Sequence, residues 1–580
     1  MRYHVLACDY DETLATEGRV DDDTLAALER LIRTGRRPLL VTGREVDSLT
    51  ADFPRLDLFD LVVAENGAVL YRPEEQETTA LAEAPPEAFV ERLRELGVEP
   101  LSVGSVIVST LEPHAETVLK AIRDLGLEMQ VIFNKGAVMV LPSGVNKASG
   151  LAAALAELAV SEHSTIGVGD AENDHAFLDA CECAVAVANA LPAVKERCDL
   201  VTEHERGAGV VELIDRLVEN DLDDVDVTRR HLLLGTSGED EEKEREREEV
   251  RFPPYGMRML IAGPSHSGKS TVTAALLERI TKAGYRFCLI DPEGDYTEGI
   301  EGASVLGDVE RAPTEEEILQ VVRDAGQSVV VNLLGVPIDD RPGFFQDFLP
   351  RLSALPARQG HPHWLVVDEA HHMMPQGFGL QSVELLREMG GLLLVTVHPD
   401  AVSEPVVQTL NAVVAVGDGP GEVLEAFAGA AGIDAPGGEF SDLPTGDLMF
   451  WRVGEEPIRV RLAPPEEERQ RHRRKYAAGE LGEESSFFFR GPENALNLRA
   501  GNLTSFCRMA EGVDEGTWNH HLGRGDYSRW LAGSVKDEEL AAEVAEVEQN
   551  PGDSADETRR RVRELIEARY TAPAEPSGLV

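Results

Sequence analysis

Short apolar runs recur along this chain, each separated from the next by a segment long enough for a helix. Between residues 1 and 222 the runs are "YHVLACD", "RRPLLVTG", "DLVVAENGA", "STIGVGD" and "CAVAVAN". Runs of this kind predict buried strands, and their alternation with helical segments predicts an α/β fold around a parallel sheet. The pattern breaks over 223–250, a polar segment ending in "GEDEEKEREREEV" that reads as a charged linker. It resumes over 251–463 with "RMLIAG", "RFCLID", "SVVVNLL", "HWLVVDEA", "GLLLVTV" and "AVVAVG", predicting a second α/β domain. A further charged linker spans 464–484, and 485–580 reads as a mainly helical module and tail.

The ends of the first set of strands carry chemistry. In "HVLACDYDETLA" the strand closes at Asp9, and Asp11 and Thr13 follow at alternate positions. Two carboxylates so spaced let one attack phosphorus while the other handles the leaving-group proton. Both also lie near enough to help hold Mg²⁺, which neutralises phosphate charge. "LLVTGRE" ends a strand at Thr42, offering a hydroxyl and backbone N–H groups to a phosphoryl oxygen. "PSGVNKASGL" sets Lys147 at a helix start, and "IGVGDAENDHAFL" ends a strand at Asp170 with Asp174 four residues on, two more carboxylates for a metal.

On these motifs residues 1–222 resemble the haloacid dehalogenase superfamily, in its Cof-like class IIB, whose Rossmann-like core carries a cap inserted in mid-domain. The resemblance implies Asp9 as nucleophile, Asp11 as general acid/base, Thr42 as the second motif, Lys147 as the third, and Asp170 and Asp174 as the fourth. Many relatives carry Ser where this chain has Thr42. "AENGAVL" resembles the class's asparagine-glycine signature at Asn66 and Gly67, and residues from about 83 to 143 would form a small α/β cap. The implied substrate is a sugar phosphate or another small phosphomonoester.

The central domain carries a second kind of phosphate chemistry. "MLIAGPSHSGKSTVTAALLERI" reads as strand, glycine loop and helix. Gly263, Ser265, His266, Ser267, Gly268 and Thr271 would wrap ATP with backbone and side chain, Lys269 would reach its β and γ phosphates, and the Ser270 hydroxyl would ligate Mg²⁺. "HWLVVDEAHHMMP" supplies Asp368 for the metal shell and Glu369 to polarise an attacking water. His371 and His372 have no nearby ligand set. Together with "LIDPEGDY" and "LLLVTVHPDAVSEPVVQTLNAVVAVG", in which His398 falls at the place of a polar sensor, these residues resemble the HerA/FtsK-like P-loop ATPases. That resemblance implies a homo-oligomer, typically a hexamer, with an arginine donated by the neighbour; Arg351, Arg358 and Arg387 are candidates. In the C-terminal module, His520, His521, Asp526 and Trp530 could line a small site or simply pack around Trp518.

Composition narrows the partners. The chain has 105 Asp and Glu against 55 Lys and Arg, a formal charge of −50, which disfavours general nucleic-acid binding. No apolar run reaches the roughly 18–20 residues of a membrane span. The six cysteines are scattered without a CxxC pair, as expected of buried thiols in a reducing cytoplasm. The expectation is thus a bifunctional cytoplasmic hydrolase, a Mg²⁺-dependent phosphatase coupled to an ATP-hydrolysing domain. The alternative is a nucleic-acid-processing protein, either a polynucleotide kinase-phosphatase or a HerA-type DNA translocase with a regulatory phosphatase domain.

Overall fold

The first strand, β1 (Val5–Cys8), is wholly buried and pairs in parallel with β2 (Arg37–Val41), which pairs in turn with β3 (Leu61–Ala64). The chain then turns back into β4 (Val69–Arg72) and β5 (Glu77–Ala80), which extend that edge antiparallel. It leaves the sheet to build a four-stranded antiparallel cap from β6 (Ser102–Val103), β7 (Val108–Leu111), β8 (Met129–Asn134) and β9 (Ala137–Pro142), in the order β6-β7-β9-β8. Two amphipathic helices, Glu87–Glu95 and Ala115–Asp124, cover the cap sheet with Phe89, Leu93 and Val118. The chain returns through the helix Lys147–Leu158 and completes the other edge with β10 (Thr165–Gly169), β11 (Cys183–Ala186) and β12 (Leu200–Val201). The parallel order β12-β11-β10-β1-β2-β3 places β1 and β10 side by side at the centre, so Asp9 and Asp170 leave the sheet as neighbours.

The second sheet has eleven strands. It contains β13 (Leu232–Ser237), β14 (Glu248–Phe252), β15 (Arg258–Ala262), β16 (Phe287–Asp291), β17 (Ala303–Leu306), β18 (Ser328–Asn332), β19 (Trp364–Val367), β20 (Gly391–Thr396), β21 (Ala412–Val416), β22 (Asp447–Arg452) and β23 (Ile458–Leu462). Its order is β14-β13-β23-β22-β21-β15-β20-β19-β16-β18-β17, parallel from β21 to β17 and antiparallel on the other side. The segment 223–250, expected as a linker, therefore differs from expectation. Strands flank its charged run, because Leu232, Leu234, Val250 and Phe252 bury apolar side chains on either side of that run and pair as β13 and β14.

Residues 1–463 make one compact unit and 464–580 a second. Within the first, the two sheets meet at a buried polar junction. Glu182 accepts hydrogen bonds from Tyr285 Oη (2.8 Å) and Arg2 Nη2 (2.9 Å) and pairs with His163 Nδ1 (2.9 Å). His163 also stacks on Tyr285 at 3.8 Å between ring centroids, and His363 Nε2 meets Ser161 Oγ at 2.9 Å. The second unit pairs Phe487–Phe489 with Leu498–Ala500 and packs five helices between Leu503 and Arg569 on an aromatic core of Phe487, Phe506, Trp518, Tyr527 and Trp530. The computed structural model describes every residue except 135, 238–247, 266, 297–299, 301, 324–326, 356–359, 380, 439, 465–485, 493–494, 536, 552–553 and 570–580. No described helix is long and apolar enough to cross a membrane.

Candidate active site

The C-terminal ends of β1 and β10 open under the cap, and the acidic residues there converge. Carboxylate oxygens of Asp9, Asp170 and Asp174 lie within 4.8 Å of one another, and all three residues are buried. Lys147, at the first turn of its helix, reaches between them: Nζ stands 2.5 Å from Asp9 Oδ1 and 2.6 Å from Asp174 Oδ1. Asn146 caps that helix by accepting from the N–H groups of Ala148 and Ser149, which fixes where Lys147 starts. The other oxygen of Asp174 accepts from the backbone N–H of Asp170 (2.8 Å) and of Ala171 (2.9 Å), and Thr13 Oγ1 donates to Asp170 Oδ1 at 3.2 Å.

Electrostatically the cluster is unbalanced. Burial, together with the neighbouring Asp174 charge, pushes Asp9 up to about 8 despite the opposing Lys147 ammonium. Burial alone would lower Lys147, but Asp174 and Asp9 hold it well above its ordinary value. Three buried carboxylates facing one ammonium are a donor set of hard oxygens lacking positive charge. That fits a small divalent cation such as Mg²⁺, held by Asp9, Asp170 and Asp174.

Asp11 departs from the expected metal role. Its carboxylate turns out of the cluster into a two-pronged grip by Arg44, Nε to Oδ2 at 2.8 Å and Nη2 to Oδ1 at 2.7 Å. Arg44 was not singled out from the sequence, although it follows Thr42 by two residues in "TGRE". Thr42 is fully buried, and its hydroxyl oxygen accepts from the Arg44 N–H at 3.1 Å. Asn66 sits with left-handed backbone, φ 56°, and its side-chain oxygen accepts from Asn173 Nδ2 at 3.1 Å. Gly67 passes so close to the Lys147 helix that a Cβ would stand 1.8 Å from the Asn146 carbonyl oxygen, so no other residue fits there. The preceding Glu65 is a second residue the sequence reading missed; its buried carboxylate is bonded by cap backbone.

In the second sheet, Gly263 to Gly268 link β15 to the helix Lys269–Lys282, with Gly268 at φ 100°. Lys269 Nζ donates back to the carbonyls of Gly263 (3.0 Å) and Pro264 (2.9 Å). Ser265 and Ser270 are exposed, Ser267 and Thr271 half-buried, and His266 lies outside the described residues. Asp368 and Glu369 follow β19, which is separated from β15 by β20 alone. Burial and the Glu369 charge push Asp368 up to about 8, while burial lowers Lys269 against the opposing pull of the Glu369 and Asp368 charges. Of the arginine candidates, Arg351 is taken by Glu315 and Glu316, Arg387 stands 3.7 Å from Glu384, and Arg358 lies outside the described residues. His371 and His372 join no described cluster of metal-ligating side chains. His398 pairs with Asp400.

In the C-terminal unit His521, Asp526 and Trp530 are engaged in hydrogen bonds and ring packing. His521 is held between Asp526 Oδ2 (2.7 Å) and the Arg490 backbone N–H (3.0 Å), and Trp530 stacks on Phe506.

Comparison with known proteins bears on the first lobe. The sequence profile of a haloacid dehalogenase-like hydrolase matches residues 6–103 and 98–214. A phosphoglycolate phosphatase of Methanothermobacter thermautotrophicus is 30% identical over 220 residues, 37% of this chain and 98% of that protein. Phosphoglycolate phosphatase 2 of Saccharolobus solfataricus is 29% identical over 226 residues, 37% of this chain and 92% of its own length. A crystal structure of a haloacid dehalogenase-like hydrolase from Bacteroides thetaiotaomicron aligns with a TM-score of 0.33 at 19% identity, over 37% of this chain and 99% of that one.

Proposed function

Because the chain belongs, through its N-terminal lobe, to the haloacid dehalogenase-like hydrolases, we propose that it is a Mg²⁺-dependent phosphatase of small phosphomonoesters, with 2-phosphoglycolate the first substrate to test. The observation that carries the reading is the buried convergence of Asp9, Asp170 and Asp174 on Lys147 at the ends of two adjacent strands. An Asp9 oxygen attacks phosphorus as the ester P–O bond breaks, and the departing oxygen takes a proton from Asp11. Water then attacks the aspartyl phosphate, gives its proton to Asp11 and releases phosphate, restoring Asp9. Lys147 and the Thr42 hydroxyl hold phosphoryl oxygens in line, and a bound Mg²⁺ supplies charge neutralisation. For its part Asp11 must leave the Arg44 grip, which its half-exposed side chain permits. A screen of small phosphoesters with the full-length protein and Mg²⁺ should return 2-phosphoglycolate among the best substrates; no turnover of any of them would sink the reading.

A second reading concerns the central lobe, which we propose binds and hydrolyses ATP as a HerA/FtsK-like domain over 251–463, completed by self-association. It is supported by the glycine loop at the end of β15 and by the Asp368–Glu369 pair two strands away, both at the carboxyl edge of a parallel sheet where such ligands bind. On this view the chain divides into a phosphatase domain, 1–222, an ATPase domain and a helical module, 485–580.

A further inference from the structure

We propose that Glu65 is a positioning residue for the phosphatase reaction: its buried carboxylate latches the cap over the active site by gripping the β6–β7 turn. The inference deepens the phosphatase reading and rests on it. Glu65 is 2% exposed, and its carboxylate accepts three successive backbone N–H groups, Ser105 to Oε1 at 2.8 Å and Val106 and Ile107 to Oε2 at 2.8 and 2.9 Å. Consecutive amides wrapped round one anion form a strong charge-assisted cradle. The turn is shaped for it. Gly104 N–H closes the turn on the Ile107 carbonyl at 2.9 Å, and a Cβ at Gly104 would stand 2.8 Å from the Glu65 carboxylate.

The turn is a third attachment of the cap, additional to the two chain crossings that join it to the core. Val106 and Ile107 beside it bury in the core of the catalytic lobe and not in the cap's own core. Two lesser contacts seat the same face: Ser102 Oγ donates to Glu45 Oε1 at 2.5 Å, and Met139 of β9 lies against Gly43.

What makes the latch consequential is the other end of Glu65. Its backbone N–H donates to the Arg44 carbonyl at 2.9 Å, and the next N–H, from Asn66, donates to the Thr42 carbonyl at 3.0 Å. Arg44 in turn grips Asp11. One residue in left-handed backbone, φ 49°, thus ties the cap turn to the loop that carries Thr42 and Arg44, the residue from which the proposed acid/base must be released. A cap held in this way admits a small phosphoester and excludes bulk water and large leaving groups, the usual purpose of closing a site.

The test uses full-length Glu65→Gln and Glu65→Ala. Hydrogen exchange should show the amides of 105–107 protected in the unaltered protein and exchanging at least about tenfold faster in both variants, with β1 and β10 still protected. Kinetically, KM for 2-phosphoglycolate, or for the best small substrate found, should rise about tenfold or more, while the ratio of turnover on p-nitrophenyl phosphate to turnover on that substrate increases. Simple loss of folded protein would lower kcat on both esters alike and leave KM and the ratio unchanged, and that result would overturn the proposal. So would unaltered exchange at 105–107. If no phosphoester is turned over by the unaltered protein, the phosphatase reading fails, and the exchange measurement still decides whether Glu65 is the latch.

Discussion

Replacing Asp9 with Asn should stabilise the metal-free protein while abolishing phosphatase turnover. An unperturbed aspartate ionises near 4, whereas burial and the Asp174 charge push Asp9 up to about 8. A raised folded-state value means that the unfolded chain releases this proton first. The contribution of Asp9 to stability is therefore neutral below about pH 4, falls as pH rises toward 8 and is flat above. Keeping Asp9 charged in the folded, metal-free state then costs roughly 2–5 kcal/mol at pH 8. Asn keeps the size of the side chain and can still accept from Lys147, which retains Asp174 at 2.6 Å. Thermal unfolding of both proteins in EDTA between pH 5 and 9 reads the effect. Asp9→Asn should melt higher at pH 8, and the gap should close toward pH 5. Added Mg²⁺ should raise the unaltered protein more than the variant, since ligand that binds only the folded state stabilises by mass action. If Asp9→Asn melts lower than the unaltered protein in EDTA by a margin that does not change with pH, the account of an over-charged cluster awaiting a cation is wrong.

Two further predictions separate the roles of neighbouring residues. Asp11→Asn should lower kcat about 10²–10⁴-fold, the ordinary worth of general acid/base catalysis, with Mg²⁺ binding by calorimetry intact, whereas Asp170→Asn should weaken Mg²⁺ binding directly; equal loss of metal by both would return Asp11 to the ligand set. Glu369→Gln should retain ATP by filter binding with little hydrolysis and leave small-phosphoester cleavage unchanged, and loss of both activities in a folded protein would show that the two sites cannot act apart.

The strand ends were legible because chemistry and topology coincide there. Short apolar runs closed by Asp9, Thr42 and Asp170 announce both a parallel sheet and the edge at which its ligands collect, and the local sequence suffices for that. What escaped reading depends on partners far along the chain. Arg44 and Asp11, or Glu65 and the amides of 105–107, are each unremarkable polar residues until the fold brings them together. The charged segment 223–250 misled for a related reason. Its acidic run outweighs the sparse apolar positions at either end, yet Leu232 and Phe252 pair directly across β13 and β14. Burial of alternate residues decides strand pairing, and composition averaged over the segment hides it.

The junction between the two sheets bears on how the lobes work together. β1 and β10, whose far ends carry Asp9 and Asp170, begin beside Arg2 and Ser164, and the helix that starts at Lys269 ends just before Tyr285. Position between two sites is not itself coupling, which needs an element with two arrangements that both sites bias. The junction has the character of a fixed attachment. Although burial would raise it, the His163 hydrogen bond, with Arg2 and Tyr285, holds Glu182 down at about 2, so this anion stays charged and paired throughout the neutral range. Breaking such a buried pair typically costs about 3–5 kcal/mol, too much for a frequent opening. The cap turn is held by contacts of another kind: one buried carboxylate accepts three successive amides, and Val106 and Ile107 bury beside it in the core of the catalytic lobe. The junction thus keeps the two sheets in one frame, and the Glu65 cradle holds the cap to the catalytic lobe.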